Sequence, residues 1–201
     1  IGVNSVAPAE ATGLLDTVRG DVEIHVWTIG VGFDTSGLPS SKAKGAFTMG
    51  SDNIVTAYQI SVGFGSDDRG GTFNLTGGLL AAQFITAGGT FNFTGGRLAV
   101  DTFDTHDGIG TLYQQGGTLS PGFSRTETSL PGTTTINGNY NLTSNGTSEV
   151  ELFEPSIKDQ VSVKGTVNLN ADSGNGGVLD LVLHFAPEVG DEFVIIDNDE
   201  T

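Results

Sequence analysis

The sequence predicts an all-β protein wound as a right-handed parallel β-solenoid, and three observations predict it. First, GGTFNLTGGLL at residues 70–80 returns 18 residues later as GGTFNFTGGRL. Second, apolar and polar residues alternate within each copy, Phe73 and Leu75 against Thr72, Asn74 and Thr76, which is the period of a strand with one apolar face. Third, no segment carries a helical period, and turn residues abound, with 31 Gly in 201 residues.

Residues 1–44 read as an irregular first coil or cap. Their clearest element is the alternating run 21–29, with Val22, Ile24 and Val26 on one face, followed by a Gly/Ser/Pro-rich loop over 30–41. Residues 45–131 read as the repeat coils. Units open at Gly45, Gly71, Gly89, Gly110 and Gly132, so that successive starts lie 26, 18, 21 and 22 residues apart, a period that marks coiling arrays.

In each unit a Gly-Gly pair turns the chain and a second strand follows, at 79–86 and again at 97–103. Stacking these coils places Phe47, Phe73, Phe91 and Leu112 in one internal ladder at the strand spacing of about 4.8 Å. No single coil buries its own face, so repetition supplies both backbone pairing and burial. Right-handedness follows from the general preference of parallel crossovers.

Residues 132–201 read as a longer-stranded continuation, with strands at 133–142, 147–153, 159–169, 177–185 and 192–196. It ends on the apolar run 193–196, as a truncated solenoid would. A β-sandwich is the alternative fold.

Composition narrows the function classes. Eight Lys and Arg against 24 Asp and Glu give a formal net charge of −16, which repels nucleic acid and anionic lipid. No apolar run is long enough for a membrane-spanning helix, and without cysteine there are no disulfides or thiolate metal sites. The chain opens at Ile1 without a leader, so it reads as a mature or excised piece whose targeting segments lie elsewhere. Asn-x-Thr triplets at Asn74, Asn92, Asn141 and Asn145 follow from a composition rich in both residues.

The run Gly-Thr-Phe-Asn-x-Thr-Gly-Gly-x-Leu, then Gly116-Gly-Thr-Leu-Ser-Pro-Gly122, residues 134–140, residues 159–167 and residues 190–196, resembles the autotransporter-associated β-strand repeat proteins. Similar arrays occur in large exported bacterial proteins with C-terminal sorting signals of the PEP type. The likeness covers about residues 45–199. It implies a β-helical stalk on the outside of a bacterium and transfers no catalytic residue.

The candidate site is RLAVDTFDTHDGIG, with Arg97, Asp101, Asp104, His106 and Asp107. Asp101, Asp104 and Asp107 offer carboxylate oxygens to Ca²⁺, and the group could also serve as acid and base on a glycan. A solvated turn is the plain alternative. Asp67, Asp68 and residues 197–200 are further acidic turns of this kind. His25 and His184 stand apart from any motif, which argues against a transition-metal site.

The Phe ladder is read as core, with Trp27, Tyr58, Tyr113 and Tyr140 scattered. The function expected is a non-enzymatic surface stalk acting in adhesion, matrix or fibre assembly, without a cofactor save possible Ca²⁺. Its expected partners are further copies end to end, other surface components or glycans. A carbohydrate-active or carbohydrate-binding β-helix and a filament or surface-layer subunit are the alternatives.

Overall fold

The computed structural model of the chain describes residues 3–4, 10–34, 42–64, 70–123 and 131–198. Among them there is no helix, and the strands are β1 Val3–Asn4, β2 Glu10–Asp16, β3 Glu23–Asp34, β4 Lys42–Met49, β5 Ile54–Phe64, β6 Gly71–Ala87 and β7 Thr90–Asp104. There follow β8 Thr111–Gln114, β9 Gly117–Pro121, β10 Thr133–Asn137, β11 Asn139–Leu142, β12 Gly146–Glu154, β13 Ile157–Lys158, β14 Gln160–Val163, β15 Val167–Asn168, β16 Val178–Leu183 and β17 Ile196–Asp197. All belong to one sheet, and every registered pairing is parallel except that of β12 with β13.

Register follows the repeat. Gly45 stands opposite Gly71, Phe73 opposite Phe91 and Leu80 opposite Leu98. The aromatic ladder forms as its spacing predicts: Phe47 and Phe73 have ring centroids 4.9 Å apart, Phe73 and Phe91 5.4 Å, and Phe91 then meets Phe103 edge-on at 5.1 Å. A second column, Val55, Leu80, Leu98 and Leu119, is wholly buried, as is a third of Ile60, Ile85, Phe103 and Ile136. The strands thus line three sides of a shared core, and each side chain is covered by its counterparts in neighbouring strands.

The corners explain the Gly-Gly pairs. Gly78 and Gly96 both have φ near +74°, a left-handed conformation open chiefly to glycine, and a Cβ on Gly96 would lie 2.6 Å from the carbonyl carbon of Gly77. Asn53, opposite Gly78 by register, closes the same corner with side-chain bonds. Its Nδ2 donates to Thr17 O and Thr17 Oγ1, both at 2.7 Å, and its Oδ1 accepts from Val22 N–H at 3.1 Å.

Three elements differ from the sequence reading. The strand at 21–29 extends to Asp34 and registers with β5 from Glu23 opposite Ile54 to Phe33 opposite Phe64, so this part of the presumed cap is a regular member of the stack. Gly132 does not restart the unit. Thr111 pairs with Asn139, whereas Thr135 pairs with Thr102, because the chain spends residues 105–110 on a corner turn and then needs a longer path to regain phase.

The predicted strand 192–196 is reduced to Ile196–Asp197, paired with Val161 and Ser162. No described strand pairs on its other side, and Val194 is exposed.

Candidate binding surface

The five residues grouped by sequence do not converge. Arg97 leaves the loop altogether: its guanidinium forms a two-pronged ion pair with Glu149, with Nη1 donating to Oε2 at 2.9 Å, while Nη2 also donates to Ser120 Oγ at 2.8 Å. Both side chains are largely buried, which strengthens such a pair over a surface one. Its partner lies 52 residues away, so no local motif announces it.

Asp101 Oδ1 accepts the Phe123 N–H at 2.6 Å, and burial raises the carboxyl above its ordinary range against the lowering effect of that bond. Asp104 and Asp107 bond the turn itself, Asp104 Oδ1 accepting from His106 N–H at 2.8 Å and Asp107 Oδ1 from Ile109 N–H at 3.4 Å. Positive φ at His106 and Gly108 tightens that turn. These carboxylates are therefore positioned as turn-formers, and among the described residues no three His, Asp or Glu side chains are grouped to hold a metal ion.

Asp67 and Asp68 lie outside the described residues, as do 199 and 200. Asn198 ties its Nδ2 to Val163 O at 2.9 Å and Gly165 O at 2.6 Å. His25 and His184 each meet a carboxylate. His25 Nε2 is 2.6 Å from Glu23 Oε1 while its Nδ1 bonds Thr56 Oγ1, and His184 lies 3.2 Å from Glu151 and stacks on Phe153 at 3.9 Å.

One buried acid has no sequence signal. Asp159 is fully buried, its Oδ1 accepting from Gly132 N–H at 2.8 Å and its Oδ2 from Glu151 N–H at 2.9 Å. Burial pushes its carboxyl up to about 6, the two N–H bonds oppose that rise, and the neighbouring Glu151 and Glu149 charges add to it.

Two outward features stand where the sequence marked nothing. The first is a trough of about 1010 Å³ running across the strands. One wall is a single register column, Glu23, Ile54, Leu79, Arg97 and Thr118. The other comprises Val22, Asn53, Gly78 and Gly96, where the missing side chains of the glycine corner leave the peptide groups open. Asp21, Glu23 and Asp52 make one end acidic, and the Arg97 guanidinium at the other is occupied by Glu149.

The second is an exposed aromatic row. Trp27 is 70% exposed and stacks flat on Tyr58, with centroids 4.2 Å apart and planes at 10°, and Tyr58 meets Phe84 edge-on at 5.4 Å. The signal for this row was present as a weaker repeat, HVWTIGVGF at 25–33 and TAYQISVGF at 56–64, in which residue type recurs more than identity. Scans against protein-family models, curated proteins and solved structures found no match to this chain.

Proposed function

We propose that this chain is a segment of a right-handed parallel β-solenoid, with coils mostly of 18–26 residues in its repeat region, that serves as a non-enzymatic stalk outside a bacterial cell. In this reading it belongs with the autotransporter-associated repeat proteins that its sequence resembles, and it acts in adhesion, matrix or fibre assembly. The observation that carries the reading is the ladder on the outer side of the Phe column. Asn92 Nδ2 donates to Asn74 Oδ1 at 2.7 Å and Asn74 Nδ2 to Thr48 Oγ1 at 3.0 Å, across three registered strands.

Such side-chain ladders stiffen a stack and do no chemistry. An enzyme of this architecture would gather Arg97 with the loop carboxylates at one cleft, whereas here Arg97 pairs with Glu149 and Asp104 with its own turn.

Self-association has support at one end. Leu179, Leu181 and Leu183 of β16 register with Ser148, Val150 and Leu152, yet each is close to half exposed, and among the described residues β16 pairs with β12 alone. An apolar strand edge of this kind invites a further strand.

The test joins two measurements on cells that make the protein and on the purified chain. Antibody labelling without permeabilisation is expected to find it at the surface, and a polysaccharide panel with and without Ca²⁺ is expected to show no turnover. Label that appears only after permeabilisation, or cleavage of any glycan, would overturn the reading.

A further inference from the structure

The chain has a single tryptophan, and it is displayed. An indole exposed to this degree gives up the burial for which aromatic side chains are generally used, so its position calls for a reason other than stability. Trp27 does not stand by chance beside Tyr58. Val26, Ala57, Ala82 and Val100 register in successive strands, as do Thr28, Gln59, Phe84 and Thr102. The residues between them, Trp27, Tyr58, Gln83 and Asp101, therefore occupy one corner position in four adjacent strands.

At the strand spacing this row is about 14 Å long. Its chemistry changes along its length: two aromatics with Phe84 against the second, then a half-buried amide, then a carboxylate with one oxygen on the Phe123 N–H. Gln83 makes no hydrogen bond among the described residues. A recess beside the aromatics is lined by His25, Val26, Thr56 and Ala57, and His25 is fixed there between Glu23 and Thr56.

A pyranose presents a face of C–H groups and a rim of hydroxyls. The first fits an aromatic plane and the second fits amide and carboxylate acceptors, so a row that passes from one to the other along the stack matches successive sugars of an extended chain. Charge selects among glycans. Glu23 and Asp101 flank the row in a chain of net charge −16, which disfavours uronates and sulfated chains.

We propose that the corner row Trp27, Tyr58, Gln83 and Asp101 is a binding site for an uncharged polysaccharide, with one sugar stacked on the face of Trp27 that Tyr58 leaves open. This goes beyond the stalk reading, since a stalk requires no such row.

Because Trp27 is the sole tryptophan, its fluorescence reports this site alone. The experiment titrates the protein with cello-, laminari-, xylo- and manno-oligosaccharides, with polygalacturonate as the anionic control, and repeats pull-downs on the corresponding insoluble glycans. The expected result is a saturable emission shift with at least one neutral series. Trp27→Ala, with unchanged circular dichroism and thermal midpoint, weakens that pull-down at least roughly tenfold, the scale of one lost anchor contact. Gln83→Ala weakens it several-fold with the fluorescence still readable.

Emission unmoved by every neutral sugar overturns the proposal, as does wild-type binding by Trp27→Ala or response to polygalacturonate alone. An emission shift that tracks protein concentration and disperses on dilution would assign the row to contact between copies, and it also overturns the proposal.

Discussion

Tyr140 donates its hydroxyl to Gln114 Oε1 at 2.7 Å inside the core, where neither side chain has any exposure. Gln114 is satisfied on its other side too, its Nε2 donating to Gly117 O and Thr147 O, both at 2.9 Å. One amide thus joins β8, the corner before β9 and β12, and the phenol closes its last acceptor. Burial alone raises the Tyr140 hydroxyl far above its ordinary range, so it stays a neutral donor.

Tyr140→Phe keeps the packing and orphans that buried acceptor. The expected loss is about 1–3 kcal/mol, the penalty for a desolvated partner left unpaired. Urea unfolding at pH 7 measures it. A loss below about 0.5 kcal/mol would mean that Gln114 finds another donor on relaxation.

Gly96 and Gly108 separate two costs that usually arrive together. Both have φ above +70°, but a Cβ on Gly96 would meet Gly77 backbone at 2.6 Å, whereas around Gly108 nothing lies within 4 Å. Gly108→Ala is expected to cost about 1–2 kcal/mol, the left-handed penalty alone. Gly96→Ala adds a backbone collision repeated at each neighbouring corner, so it should cost at least twice as much or prevent folding. Equal midpoints for the two variants would show that the corner can open.

The same contrast explains what the sequence could disclose. Gly71 with Gly89 and Phe73 with Phe91 are legible because adjacent strands impose one environment on both members of each pair, and identity survives. His25–Phe33 against Thr56–Phe64 imposes only residue type, Trp over Tyr and Ile over Ile, and so escapes a search for matching letters. Thr133 was assigned to the wrong strand partner because the turn at 105–110 alters the phase without altering the alternation.

Arg97 with Glu149, and Asp159 with the amides of Gly132 and Glu151, depend on closure over long stretches of chain. Spacing along the sequence carries no trace of them.

Asp159 makes stability fall as pH rises. Its carboxyl titrates near 3.8 when unfolded and at about 6 when folded, so between these values the folded chain holds the extra proton. Stability from this group is therefore full below about pH 4 and is lost as pH climbs through 6. The other acids of a −16 chain push in the same direction, so the informative quantity is a difference. Asp159→Asn should flatten the decline between pH 4 and 6.5 relative to wild type while lowering stability at pH 4, because its amide cannot accept from both Gly132 and Glu151 N–H. Parallel pH profiles for the two proteins would refute the assignment.

Ser148 interrupts an otherwise apolar column. It registers between Leu119 and Leu179 in the line that runs from Val55 through Leu80 and Leu98, and its Oγ is buried without a hydrogen-bond partner. A hydroxyl there gains no bond and loses its hydration. Ser148→Ala removes the polar atom and leaves the Cβ contacts in place, so it should raise stability by about 1 kcal/mol in chemical unfolding. If stability falls instead, the hydroxyl has a partner such as a bound water, and the column is sealed by that bond and not by packing.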